Sequence, residues 1–293
     1  MCSSDLGNGN VTLFAGAEPL ARVPQLAIHL DRDVNERGVQ LDRQSHLMPV
    51  WATGAASFRE WLGARTGVSD ILAHDAHLFD VQGAALIGSD SSLLASGRLD
   101  NQVSCWAAVH AIAAAGQDST VIIVLNDHEE VGSESVTGAA GPMLERCLDL
   151  VTEQLAMDAR ARHAFLGSAY CLSADNAHAV HPNYPERHEP RHGPLVNAGP
   201  ALKLNGNMRY ATTARGSAHI QSVARAAGIP LQVFVTRNNM PCGSTIGPIT
   251  ATRLGIECID VGVPQLSMHS AREVCGAGDP PRLLELMSAF LRS

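Results

Sequence analysis

The chain has 293 residues, 45% of them hydrophobic but only 4% aromatic, and a formal net charge of −8. That length suits one large domain or two smaller ones around an aliphatic core, and the acidic balance argues against a nucleic-acid partner held by bulk positive charge. No apolar run approaches the ~20 residues that span a bilayer, no basic-then-apolar leader opens the sequence, and seven cysteines without a C-x-x-C pair fit a reducing compartment better than a disulfide framework, so a soluble cytoplasmic protein with no membrane partner is the expectation.

The opening hexapeptide, Met1 to Leu6, has no evident role and reads as foreign to a natural chain that extends further towards its N-terminus. Val11 to Phe14 and Gln25 to Leu30 suggest strands or short elements between polar turns, and Ser57 to Gly63 a short helix. His74 and His77, three apart, share a face only on a helix, and no third ligand stands near them. Leu78 to Val81 alternates like a strand.

From about residue 81 strands and helices alternate. A helix over 103–115 ends at Gly116 and is followed by a buried strand over 120–125. Pro142 opens a second helix with an apolar face, and 169–174 is another buried strand. Two extended segments, 201–204 and 208–211, flank Asn205-Gly206-Asn207, a hairpin signal. Ser217 is the expected cap of a helix that Gly228 ends, strands follow over 231–235 and 256–261, and Asp279-Pro280-Pro281 starts the last helix. The alternation predicts an α/β fold with a mostly parallel sheet and flanking helices.

The acidic pair Glu129-Glu130 follows the strand predicted over 120–125, at the kind of strand end where open α/β sheets bind ligands. Two adjacent carboxylates there need their charge compensated. A metal ion does so, one carboxylate ligating it while the other handles a proton. Asp175 and His269 also follow buried-strand candidates, and Asp100 precedes a helix. Together Asp100, Glu130, Asp175 and His269 offer the oxygen and imidazole donors of a zinc, manganese or cobalt hydrolytic site, with one or two metals. Each alone has a plainer reading: an acidic surface turn, a helix cap, a core or surface histidine.

The strings around these positions resemble the aspartyl aminopeptidase family of dizinc metallopeptidases. The carriers, in order, are Val23 to Leu30, Gly97-Arg98-Leu99-Asp100-Asn101, Asp127 to Ser133, Ser173 to Tyr184, Gly199 to Lys203, Cys242 to Ile249 and Met268-His269-Ser270. The resemblance implies that 81–293 is a dizinc catalytic domain lacking its opening segment and that 1–80 is part of an inserted β-rich dimerisation domain.

It further implies that Asp100 bridges two Zn2+ ions per subunit, that Glu130 and His269 complete one zinc and that Asp175 ligates the other. Glu129 would be the general base acting on a zinc-bound water. His178, Lys203 and Tyr210 would line the substrate pocket, with Lys203 meeting an acidic side chain. His29 would reach a neighbouring subunit's active site and help hold the oxyanion. The implied activity is removal of N-terminal Asp or Glu from peptides by a homo-oligomer, a dodecamer in this family. A histidine-bearing string of the His-Thr-Asp-Ser-Pro type, which supplies the remaining zinc ligand, is not found, and Asn239 stands where the family often has Asp. A dizinc aminopeptidase or deacylase of other specificity, and a non-catalytic assembly subunit or fragment, remain as alternatives.

Overall fold

Leu99, Val103, Ala107 and Ala111 recur at every fourth position and are all buried, so one stripe of a helix faces a core. The computed structural model describes residues 2–5, 11–54, 57–116 and 119–293, and the chain divides into two compact units, 1–82 and 83–293.

The first unit contains β1 (Cys2–Asp5), β2 (Val11–Phe14), α1 (Val34–Arg37), α2 (Phe58–Thr66) and β3 (Ala73–Ala76), with the strands ordered β2-β1-β3 and antiparallel. Met1 and Leu6 of the opening hexapeptide lie outside the described residues. Ser57 caps α2 by accepting the Glu60 N–H. The interior of this unit is aromatic: Trp61 stands edge-on to Phe14 and Trp51 and stacks on Phe58, whose ring also meets His74. His74 therefore lies on a strand within an aromatic cluster and shares no helix face with His77. The stretch 78–81 is not a strand. Asp80 instead accepts the Gln82 N–H at 2.8 Å, a side-chain turn that competes with strand pairing.

The second unit runs β4 (Ala85–Ile87), β5 (Leu93–Ser96), α3 (Leu99–Ala113), α4 (Met143–Gln154), α5 (Ala159–Ser168), β6 (Tyr170–Ala174), β7 (Ala177–His178), β8 (Ala201–Leu204), α6 (Ala214–Ala227), β9 (Gln232–Val235), α7 (Ile246–Leu254), β10 (Glu257–Gly262), β11 (Pro264–Leu266), β12 (Glu273–Gly276) and α8 (Asp279–Phe290). One sheet has the order β6-β10-β8-β9, the other β4-β5-β12-β11-β7. The α/β class is as expected, but the pairing is mixed. β10 is parallel to β6 and antiparallel to β8, and the second sheet is antiparallel except where β11 meets β7. Side chains of α3, α6 and α8 close over Leu202, Ile259 and Val261 in one core. On the opposite face of β10, α7 approaches so closely that a Cβ at Gly247 would stand 2.5 Å from the Asp260 carboxylate.

Three other expectations fail for physical reasons. The run 120–125 is apolar but unpaired among the described residues, with Ile122 40% and Leu125 49% exposed. Hydrophobicity signals a wish for burial, whereas a strand needs a neighbour's hydrogen bonds. No hairpin forms at Asn205, because the Ala211 N–H is taken at 2.6 Å by the buried carboxylate of Asp260, which also accepts from Ser173 and Thr245. Helix α6 is capped by Thr213, which accepts the Gly216 N–H; the Ser217 N–H already serves the helix through the Thr213 carbonyl. The helices α5 and α7 and the short strands β4, β5, β11 and β12 carry no sequence signal strong enough to be expected.

Candidate metal centre

Asp100 sits in the first turn of α3, Glu130 in the 3₁₀ turn 129–131, Asp175 just past β6, and His269 in the loop between β11 and β12. These are far apart in sequence, yet donor atoms of Asp100, Glu130 and His269 all lie within 4.8 Å of one another. His269 Nε2 is 3.2 Å from Asp100 Oδ2 and 3.1 Å from Glu130 Oε2. Backbone strain gathers here: His269 itself (φ 64°), Arg98 (φ 56°) before the Asp100 turn and His128 (φ 58°) before Glu129 all occupy the left-handed region. Non-glycine residues persist there only where the surroundings hold them.

The electrostatics of the cluster follow from its burial and charge. The Asp100 side chain is only 5% exposed, and its Oδ1 is buried without a hydrogen-bond partner among the described residues. Its pKa is raised to about 8, first by burial and then by the negative charges of Asp175 and Glu130. A buried carboxylate with an orphan oxygen, beside a second carboxylate and an imidazole, is a donor set that fits a divalent cation such as zinc. Glu129, half-buried in the same turn as Glu130, has its pKa raised by burial and then by the charges of Asp175 and Glu130. It is a stronger base than a free glutamate.

Asp175 stands beside the trio. Its N–H donates to the Val261 carbonyl at 3.0 Å, and a Cβ at Gly262 would stand 1.8 Å from the Asp175 carbonyl oxygen, so only glycine permits this approach. Its carboxylate receives Lys203 Nζ at 3.1 Å. Lys203, on β8, is 2% exposed and also lies 5.2 Å above the Tyr210 ring. It is thus a buried cation compensating an acidic centre, its contact with Asp175 using one of its three N–H donors. Tyr210 is buried against Phe234, which keeps its hydroxyl protonated far above the usual phenol range. His178 opens onto a cleft of about 400 Å³ shared with His181, Tyr184, His188, Gln265 and Ser267. Desolvation by the surrounding site, then the Lys203 charge, hold its pKa below the ordinary imidazole value. His29 lies exposed in the 3₁₀ turn 28–30 of the first unit, whereas the other eight expected site residues belong to the second.

Three polar residues to which no role was expected tie the site together. Glu273, 2% exposed, accepts the Asp100 N–H at 2.9 Å and the His269 N–H at 2.7 Å. Asn176 donates to the Leu99 carbonyl and to Gln265, and Asn101 to the Ala174 carbonyl. In the sequence Glu273 is one acid in a short strand, and nothing there separates it from a surface residue.

A family model described as Aminopeptidase I zinc metalloprotease (M18) matches residues 8–291. The "Probable M18 family aminopeptidase 2" of Streptomyces coelicolor is 46% identical over 302 residues, covering 98% of this chain and 69% of its own. Among solved structures, a chain of the complex of Ape4 and Nbr1 superposes with a TM-score of 0.89 at 31% identity, over 99% of this chain and 61% of that one. The S. cerevisiae mApe1 dodecamer gives a TM-score of 0.76 at 25% identity, over 99% of this chain and 67% of that one. The chain thus spans 61–69% of the length of these three proteins.

Proposed function

The chain belongs to the M18 family of aminopeptidase I zinc metalloproteases, and on that premise we propose that its protein removes N-terminal Asp or Glu from peptides with two zinc ions per subunit. The observation that carries the metal part of this reading is the convergence of Asp100, Glu130 and His269 from three distant segments within 4.8 Å, and the buried Lys203 ammonium supports the acidic specificity. Glu130 and His269 would hold one zinc, Asp175 the other, and Asp100 both. When bound, zinc acidifies water near neutral pH and polarises a carbonyl.

The chain's own residues do the rest. Glu129 takes a proton from the attacking water and passes it to the leaving amine. Lys203 offers its remaining donors to the acidic side chain of the substrate, Tyr210 and His178 complete that pocket, and His29 serves the oxyanion across a subunit boundary. The mApe1 dodecamer supports a homo-oligomer, and six free cysteines among the described residues support a reducing, cytoplasmic setting.

Release of p-nitroaniline from aspartyl, glutamyl and leucyl anilides by the zinc-loaded protein tests the reading. Faster turnover of the acidic pair supports it. Preference for leucine reassigns the specificity to that of another dizinc aminopeptidase, and zinc binding without turnover makes the chain a non-catalytic subunit.

A further inference from the structure

The two loops that deliver Asp100 and His269 meet at one strand. β12 pairs with β5 through Glu273↔Ser96, and β5 runs directly into the turn that presents Asp100. On its other side β12 pairs with β11 through Gln265↔Cys275, and β11 runs directly into the His269 loop. Glu273, the first residue of β12, therefore stands between both ligand-bearing segments. It is four residues after His269 and opposite a residue four before Asp100. Each of its two oxygens serves one segment. Oε2 accepts the Asp100 N–H at 2.9 Å and Oε1 the His269 N–H at 2.7 Å.

We infer that Glu273 is the positioning residue of the metal centre: one buried carboxylate holds the backbones of two ligands, through which it fixes their separation and the left-handed turn at His269. This rests on the reading of Asp100 and His269 as metal ligands. A carboxylate suits this double grip because both its oxygens are acceptors and each bond to it is charge-assisted. An amide has one acceptor oxygen and one donor nitrogen. In Glu273→Gln, whichever way the amide turns, one of the two N–H groups faces another donor and is released. The Asn176 and Asn101 bonds tie the Asp175 segment to the Asp100 turn in the same manner, but neither reaches His269.

A purely structural role is separated by a matched control. Asp279 is also fully buried and accepts backbone N–H groups, those of Asn197 and Gly199 among them, beside Arg282, yet touches no proposed ligand. Zinc affinity of the metal-free protein is measured by competition with a chelating dye for the parent, Glu273→Gln and Asp279→Asn. The expected result is a loss of about 10–100-fold for Glu273→Gln and less than twofold for Asp279→Asn. Affinity within twofold of the parent for Glu273→Gln, or an equal loss in both variants, overturns the inference.

Amide hydrogen exchange in the metal-free parent needs no variant to fold. Protection of the Asp100 and His269 amides supports the tie, and exchange at open-loop rates overturns it. A parent that binds no zinc defeats the metal reading alone, and the exchange of these two amides then decides separately whether Glu273 holds the loops.

Discussion

Glu129 and Glu130 are chain neighbours with unequal surroundings. Glu130 touches His269, and Glu129 is more buried, which raises its pKa. The proposed division of labour gives the metal to Glu130 and the proton to Glu129. Glu129→Gln is therefore expected to cut kcat by roughly 10²–10⁴-fold while bound zinc, read by elemental analysis, stays the same; normal turnover would falsify the general-base assignment. Asp100 sets a second expectation. Its pKa near 8 in the metal-free site means that a proton must leave before a cation is bound. A raised carboxylate pKa favours the protonated form below it, so zinc affinity should rise with pH, roughly tenfold per unit for one displaced proton, and level off above about 8. Titrations across pH 6–9 that show no slope would mean that Asp100 is already ionised before the metal binds. The sequence names Glu129, Glu130, Asp100 and Lys203 as candidates but not the partner of Lys203. Residue type alone could not show that its ammonium lies buried on Asp175.

The centre is assembled where elements touch with little tolerance. Gly262 at the end of β10 is the sharpest case, since any Cβ would collide with the backbone at Asp175. Gly262→Ala should force β10 away from that segment and lower both thermal stability and zinc stoichiometry, measured together. Gly228 is a contrast. It ends α6 at φ 69° with nothing within 4 Å of a Cβ, so Gly228→Ala should cost only the conformational penalty, ~1 kcal/mol, and leave zinc binding unchanged. A zinc defect in Gly228→Ala would show that α6 is coupled to the site more tightly than its packing implies. At this scale the helices and strands with repeated apolar spacing were legible, α3 and β10 among them. The apolar composition of 120–125 predicts a buried strand, but the stretch has no pairing partner among the described residues.

Zinc is expected to act on the second unit as a ligand of the native state, because the three clustered donors proposed to hold it are brought together only by folding. Free zinc at a hundredfold excess over its Kd should stabilise the protein by about 2.7 kcal/mol. A chelator should lower the thermal midpoint correspondingly in calorimetry. An unchanged midpoint would mean that the cluster holds no metal. No helix among the described residues is long and apolar enough to cross a membrane. How the strands pair was not legible. The alternation of elements gives their order along the chain, while pairing direction depends on which edges are left for β8 and β12 to join.

The sequence by itself determined the α/β class, the family resemblance and the identities of the nine candidate site residues, because these reside in periodicity and in strings of adjacent residues. The tertiary structure alone decided that Asp100, Glu130 and His269 meet, that Lys203 is buried on Asp175, and that Glu273 accepts the N–H groups of both Asp100 and His269. Those facts are distances between segments up to 173 residues apart. No local pattern encodes such a distance; it follows from sheet register and core packing, which carry each loop to the same strand end.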